Sequence, residues 1–230
     1  MWGGVVVSRR VRVASIVLAG LVSLVALPGC KPEGTVDPSI DAAAKAGAWE
    51  IHEAIEGRIL AGQASEADRA AALDRIRSSA DDGSAAYAYA RASVAGRVAE
   101  LRGLKALPLL EEMREWAEAS IERDPNFEGM AAKRLLGTLY VLAGRHLSKG
   151  DSEQGLELVE EVVEAHPELA RNHLRLGEGY VALGDAESGF ASLCQAKADR
   201  AALTAEEGKL LDQLIEDAGG LAALGCEAAE

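Results

Sequence analysis

Leu136-Gly137-Thr138-Leu139-Tyr140 and Leu176-Gly177-Glu178-Gly179-Tyr180 are two copies of one pattern, Leu-Gly-x-x-Tyr. Beyond them the chain keeps a second set of matches: Gly150-Asp151 with Gly184-Asp185, Gly155 with Gly189, Val159 with Leu193, and Val162 with Ala196. Each of these pairs is separated by 34 residues. Tyr140 lies ten residues before Gly150, whereas Tyr180 lies four before Gly184, so six extra residues, Gly144 to Lys149, enlarge the first turn. Pro167 closes the first copy, and Pro125 ends an earlier stretch, Ser120 to Pro125, in the same way. A proline removes a backbone donor and stops a helix, while Gly-Asp supplies a turn and a cap for the next helix. The unit is therefore a helix, a turn, a second helix and a stop, repeated.

The same grammar extends outward. β-branched residues are sparse, and no stretch alternates apolar and polar residues for long, so strands are not expected. Asp37-Pro38 reads as a cap and a helix-starting proline. A helix through Trp49, Ile51, Ala54, Ile55 and Ile59 ends near Gly62, and Ser65 caps the next, which fades at Asp81-Asp82-Gly83. Ser84 opens a third that ends near Gly103, and Pro108 starts a fourth that reaches Asp124. The fold class predicted is all-α, an antiparallel helix-pair solenoid over residues 39–218, with a C-terminal tail at 219–230. The signature formed by Leu136, Gly137, Tyr140, Pro167, Leu176, Gly177 and Tyr180 resembles the tetratricopeptide repeat (TPR). In that pattern the small Gly137 and Gly177 let the first helix of a pair lie close to the second, and Tyr140 and Tyr180 fill the gap against the next unit.

The N-terminus has a different character. Arg9, Arg10 and Arg12 precede an uncharged run from Val13 to Leu27, which closes on Leu27-Pro28-Gly29-Cys30. A basic start, a short apolar run and small residues read as a secretory signal, and the run is shorter than the roughly 20 residues a span needs. Cys30 directly after it resembles a bacterial lipobox, with residues 1–29 as a cleaved signal, Cys30 as the lipidation site and 30–38 as a tether. A multi-chain lipid would anchor the protein at a membrane. Lys31, in place of an aspartate, points to the outer membrane, facing the periplasm. An ordinary cleaved signal with an incidental Cys30 is the alternative.

Loss of residues 1–29 removes three of the 24 basic residues and none of the 37 acidic ones, leaving 21 − 37 = −16. Such a chain repels nucleic acid and anionic lipid, and it has no basic stripe of the kind nucleic-acid binding requires. About 200 residues suffice for one domain with a real core.

A narrower likeness covers roughly residues 80–200. Tyr87-Ala88-Tyr89-Ala90-Arg91, Leu109 to Met113, and Asp124-Pro125-Asn126-Phe127-Glu128-Gly129-Met130-Ala131, followed by Leu-Gly-x-Leu-Tyr, resemble the TatT lipoproteins that accompany tripartite ATP-independent periplasmic (TRAP) transporters. The resemblance implies a periplasm-facing helical protein with cryptic repeats, a solute-binding protein as partner and, as in some members, a homo-oligomer. An envelope-assembly or pilotin-like TPR lipoprotein is the other reading, with an envelope component as partner.

No chemistry stands out. There is no phosphate loop, no His-Glu-x-x-His and no paired cysteines at zinc spacing, so no cofactor or metal is expected and the chain reads as a non-enzyme. His52, His146, His166 and His173 are scattered singly, and Thr204 with Glu207 reads as a capping box. Once Cys30 is lipidated, Cys194 and Cys226 remain, an even pair in an exported chain, and a disulfide between them would pin the last helix. Two buried free thiols are the alternative. From the TPR resemblance, the usual concave positions fall on Ala131, Arg134, Thr138, Val141 and Leu142, and on Arg171, Leu174, Glu178, Val181 and Ala182. Among these Arg134, Thr138, Arg171 and Glu178 are the binding candidates. The two arginines suit a carboxylate, with an internal salt bridge to a neighbouring Glu as the plainer role.

Overall fold

Short polar side chains set the helix starts. Asp37 accepts from the Ser39 amide to begin α1 (Pro38–Ala43). Ser65 and Asp68 form a reciprocal capping box on α3 (Glu66–Ser78), and Thr204 and Glu207 form another on α10 (Ala205–Asp217). Ser84 caps α4 (Ala85–Ala99), Asp151 caps α7 (Ser152–Ala165), and Asp185 caps α9 (Ala186–Ala198). Each cap satisfies an amide that the helix itself leaves without a partner. The remaining helices are α2 (Ala48–Leu60), α5 (Leu107–Arg123), α6 (Phe127–Ala143), α8 (Ala170–Ala182) and the short α11 (Leu221–Leu224).

The computed structural model describes residues 34–226. Among them the regular structure is wholly helical, eleven α-helices and three one-turn 3-10 segments, so the fold is all-α. The signal segment 1–29, Cys30 and the start of the 30–38 tether lie outside the described residues. No helix among the described residues is long and apolar enough to cross a membrane.

Sequential helices pack as neighbours, most densely in the pairs α4/α5, α6/α7 and α8/α9. The even-numbered helices also touch one another in succession, α2 to α4, α4 to α6, α6 to α8 and α8 to α10, whereas contacts among α3, α5, α7 and α9 are sparse by comparison. The even-numbered helices therefore share one side of the packing. One apolar core runs from Ile40 through Ile51, Ile55 and Val94 to Tyr140; a second joins Leu174, Leu193, Leu211 and Ile215.

Glycine controls two of the pair interfaces. A Cβ on Gly137 would stand 2.7 Å from Val159 Cγ2 and 2.8 Å from the Gly155 carbonyl oxygen, and one on Gly155 would stand 2.7 Å from the Gly137 carbonyl oxygen. Gly177 meets Leu193 in the equivalent place, and Gly189 faces Gly177. Tyr140 donates to Glu118 of α5 (2.8 Å), and Tyr180 donates to Glu160 of α7 (2.5 Å), so each hydroxyl ties its helix to the preceding one, while the Tyr140 ring lies against Gly150 before α7. A hydroxyl at the end of a ring that leans toward the helix N-terminus meets the element already behind it.

Three local features depart from the sequence reading. The segment opening at Pro38 breaks at Gly47 into α1 and α2. Residues Glu128, Gly129 and Met130 hold left-handed dihedrals at the start of α6, with φ of 47°, 60° and 61°. The segment from 219 onward contains α11, reached by a left-handed reversal at Gly219-Gly220 and bonded back to α9 through the Cys194–Cys226 disulfide.

Candidate functional site

The inward faces of the even-numbered helices enclose a groove of about 760 Å³. Its apolar lining comes from Leu135, Leu139 and Leu142 of α6, Leu110 and Met113 of α5 and Leu60 of α2, with Leu60 and Leu142 exposed at the surface. Its polar groups come from the five helices α2, α4, α6, α8 and α10. Arg134 stands on α6, Arg171 and Arg175 one turn apart on α8, Glu206 and Glu207 on the first turn of α10, and Tyr89 on α4.

Arg134 is held from below. It donates through Nη1 to Asn172 Oδ1 (3.0 Å), and the fully buried Asn172 donates in turn through Nδ2 to the His166 carbonyl (3.0 Å). That is its single side-chain hydrogen bond among the described residues. Burial lowers the pKa of Arg134 from its ordinary value, and Arg171 and Arg175 reinforce the effect. Arg171 is exposed at the groove wall. Neither Arg134 nor Arg171 has a carboxylate within ion-pair distance among the described residues, whereas Arg58, Arg69, Arg75, Arg77, Arg91 and Arg97 each have one. An internal salt bridge, the plainer role considered for these two arginines, is not formed.

Most of the other charges in the groove are engaged, Glu206 being exposed on the first turn of α10. Arg97 clasps Glu56 with both ends, Nε at 2.7 Å and Nη2 at 2.6 Å, which drives its pKa upward, and it also bonds Glu100. Arg175 pairs with Glu178 at 2.7 Å. Glu207 accepts the Thr204 amide at 2.9 Å. Burial alone would raise its pKa, but that amide, then Arg171, hold it below the ordinary carboxylate range.

Aromatic rings line the wall beside Arg134. Tyr89 makes an edge contact with His52 (5.4 Å between centroids) and lies 6.0 Å from Phe127, while Trp49 stacks on His52 at 4.9 Å. Burial raises the pKa of Tyr89, with Arg134 opposing. Burial lowers that of His52, whose Nδ1 is enclosed without a hydrogen-bond partner.

The structure brings Arg134, Thr138 and Arg171 of the four binding candidates to the groove, along with Ala131 and Leu142. Glu178 is not on its lining; it serves Arg175. Leu174 is fully buried in the second core, and Val141 is buried against Gly179. A helix presents a stripe rather than an alternating set, and the stripe drifts about the axis, so positions on either side of it turn into the stack. Sequence reasoning missed Arg175, although it stands four residues beyond Arg171 on the same face. It also missed Tyr89 and His52, which sit in helices without a repeat register. Of the remaining histidines, His146 accepts from Arg145 (3.0 Å) and His173 faces the Pro167 carbonyl (2.7 Å). No group of three metal-ligating side chains occurs among the described residues. The sequence matches no protein-family model, and no curated protein is detectably similar to it.

Proposed function

We propose that this chain is a non-catalytic binding protein, lipid-anchored through Cys30 and facing the periplasm, whose helix pairs form a TPR-like array. The observation that carries the binding role is the inner groove, in which Arg134 and Arg171 stand without carboxylate partners in a strongly acidic protein. The repeat reading is supported by the reciprocal glycine contacts of α6/α7 and α8/α9, and by the matching Tyr140–Glu118 and Tyr180–Glu160 bonds. On this reading the protein acts as an adaptor for a periplasmic partner. The TatT-like segments between Tyr87 and Ala131 favour the solute-binding component of a TRAP-type transport system.

The chain from Lys31, used as lipid-free bait on native periplasm, tests the assignment. A solute-binding protein as dominant prey, reduced by Arg134→Gln or Arg171→Gln, is the expected result. Secretin or barrel-assembly components as the prey would transfer the protein to envelope assembly, with the transporter resemblance reduced to shared architecture. Recovery of the same prey by both variants would detach the groove from partner capture.

A further inference from the structure

We infer that the groove takes a small amphipathic carboxylate, its acid group on Arg134 and Arg171 and its apolar body along α6. This rests on the reading of the inner groove as the binding surface and adds the chemistry of what fills it. A guanidinium partly withdrawn from water and given a single neutral acceptor retains several N–H donors that can turn to a ligand, and a planar carboxylate matches their geometry. Arg134 is such a group: it meets Asn172 and no carboxylate, and its charge is disfavoured by burial. Arg171 lines the same groove and adds a second cation, with no carboxylate within ion-pair distance among the described residues. Tyr89 beside them supplies a hydroxyl whose proton burial retains.

The acids of the groove do not fill this role. Glu56 is held by Arg97, Glu178 by Arg175, and Glu207 by the Thr204 amide, outside ion-pair distance of Arg171. Glu206 is exposed on the first turn of α10.

Size and polarity choose the rest of the ligand. Some 760 Å³ lies within the ordinary range of small-molecule pockets. Leu135, Leu139 and Leu142 follow Arg134 along one face of α6, and at 1.5 Å per residue Leu142 stands about 12 Å beyond it. An acid group with an apolar chain of about that length satisfies both ends. A dicarboxylate long enough to run along α6 would place its second charge among leucines, where an unpaired charge is strongly disfavoured.

Calorimetric titration of the purified chain from Lys31 with octanoate tests this, since residues 33–230 form one compact unit. Octanamide, succinate and an acetylated tripeptide with a free C-terminus serve as comparisons. Octanoate is expected to bind, octanamide and succinate to bind about tenfold more weakly or not at all, and Arg171→Gln to weaken octanoate about tenfold. The Arg171 side chain makes no hydrogen bond among the described residues and is exposed, so its loss leaves the fold intact; Arg134→Lys reports on the partly buried member. Equal binding of octanoate and octanamide, or no binding of octanoate, would overturn the inference. Binding of the tripeptide with none of octanoate would do the same, and would give the arginines to a protein C-terminus. The titration contains no partner protein, so octanoate binding by a chain that captures nothing would sink the adaptor role alone.

Discussion

Asp68 is the charged side chain most deeply committed to the fold. It is fully buried and accepts from the Asp37 amide (2.7 Å), the Ser65 amide (2.9 Å) and Arg58 Nη2 (3.2 Å). Burial would raise its pKa, but these donors outweigh that and hold it below the ordinary carboxylate range. Asp68→Ala removes the acceptor of the Asp37 and Ser65 amides, while Arg58 keeps its pairing with Asp37, so it is expected to cost about 3 kcal/mol, measured by chemical denaturation. His52 carries a pH signature of the opposite charge type. Burial lowers its pKa, Glu56 opposes and Arg97 adds to the effect. The folded protein then binds fewer protons at His52 than the unfolded chain. Its contribution is fully present above the unfolded value near 6.5 and is lost as pH falls below it, at most about 1.4 kcal/mol per pH unit. Denaturation midpoints between pH 7 and 5 should fall less steeply in His52→Gln than in the parent; identical slopes would remove His52 from the pH response.

Helix pairing depends on what each glycine meets. At Gly137 an added methyl would strike the Gly155 carbonyl, which is backbone and cannot step aside; at Gly177 it would strike the end of Leu193, with backbone no nearer than 3.6 Å. Gly137→Ala is therefore expected to destabilise by about 2–3 kcal/mol, an overpacking cost. Gly177→Ala should cost clearly less, because Leu193 has rotamers to use and alanine gains about 1 kcal/mol of helix propensity. Thermal melts of the two variants measure the difference, and an equal loss would mean that the α8/α9 interface is as unyielding as α6/α7. Both glycines were legible in the sequence because close helix contact demands a small residue at a fixed place in the repeat. The left-handed turn at Glu128 to Met130 was not, since only one of those three residues is glycine, and the conformation disfavours the other two by roughly 1–2 kcal/mol each. Met130, the last of the three, is buried.

Across the stack, the end is closed by the disulfide between Cys194 on α9 and Cys226 beyond α11, 32 residues apart. It holds Leu224 against the second core, covering a face that a terminal unit would otherwise leave open. Cys226→Ser is expected to lower stability by about 3–4 kcal/mol on the chain-entropy account, with hydrogen exchange accelerated in α11 more than in α9. An unchanged melt under reducing and non-reducing conditions would show that the cap holds without its covalent bond.

Helix boundaries, caps, the small-residue contacts and the even cysteine pair are properties of neighbouring residues and fixed spacings, so the chain announces them in one dimension. The inner groove does not exist in one dimension. Arg134 and Arg171 could be named from their repeat positions, but whether each meets a carboxylate depends on which helix lies across from it. The acids that might have paired with them turned out to serve Arg97, Arg175 and a helix cap. Tyr89 and His52 enter the same wall from helices with no readable register, because the even-numbered helices pack against one another and bring distant parts of the chain together.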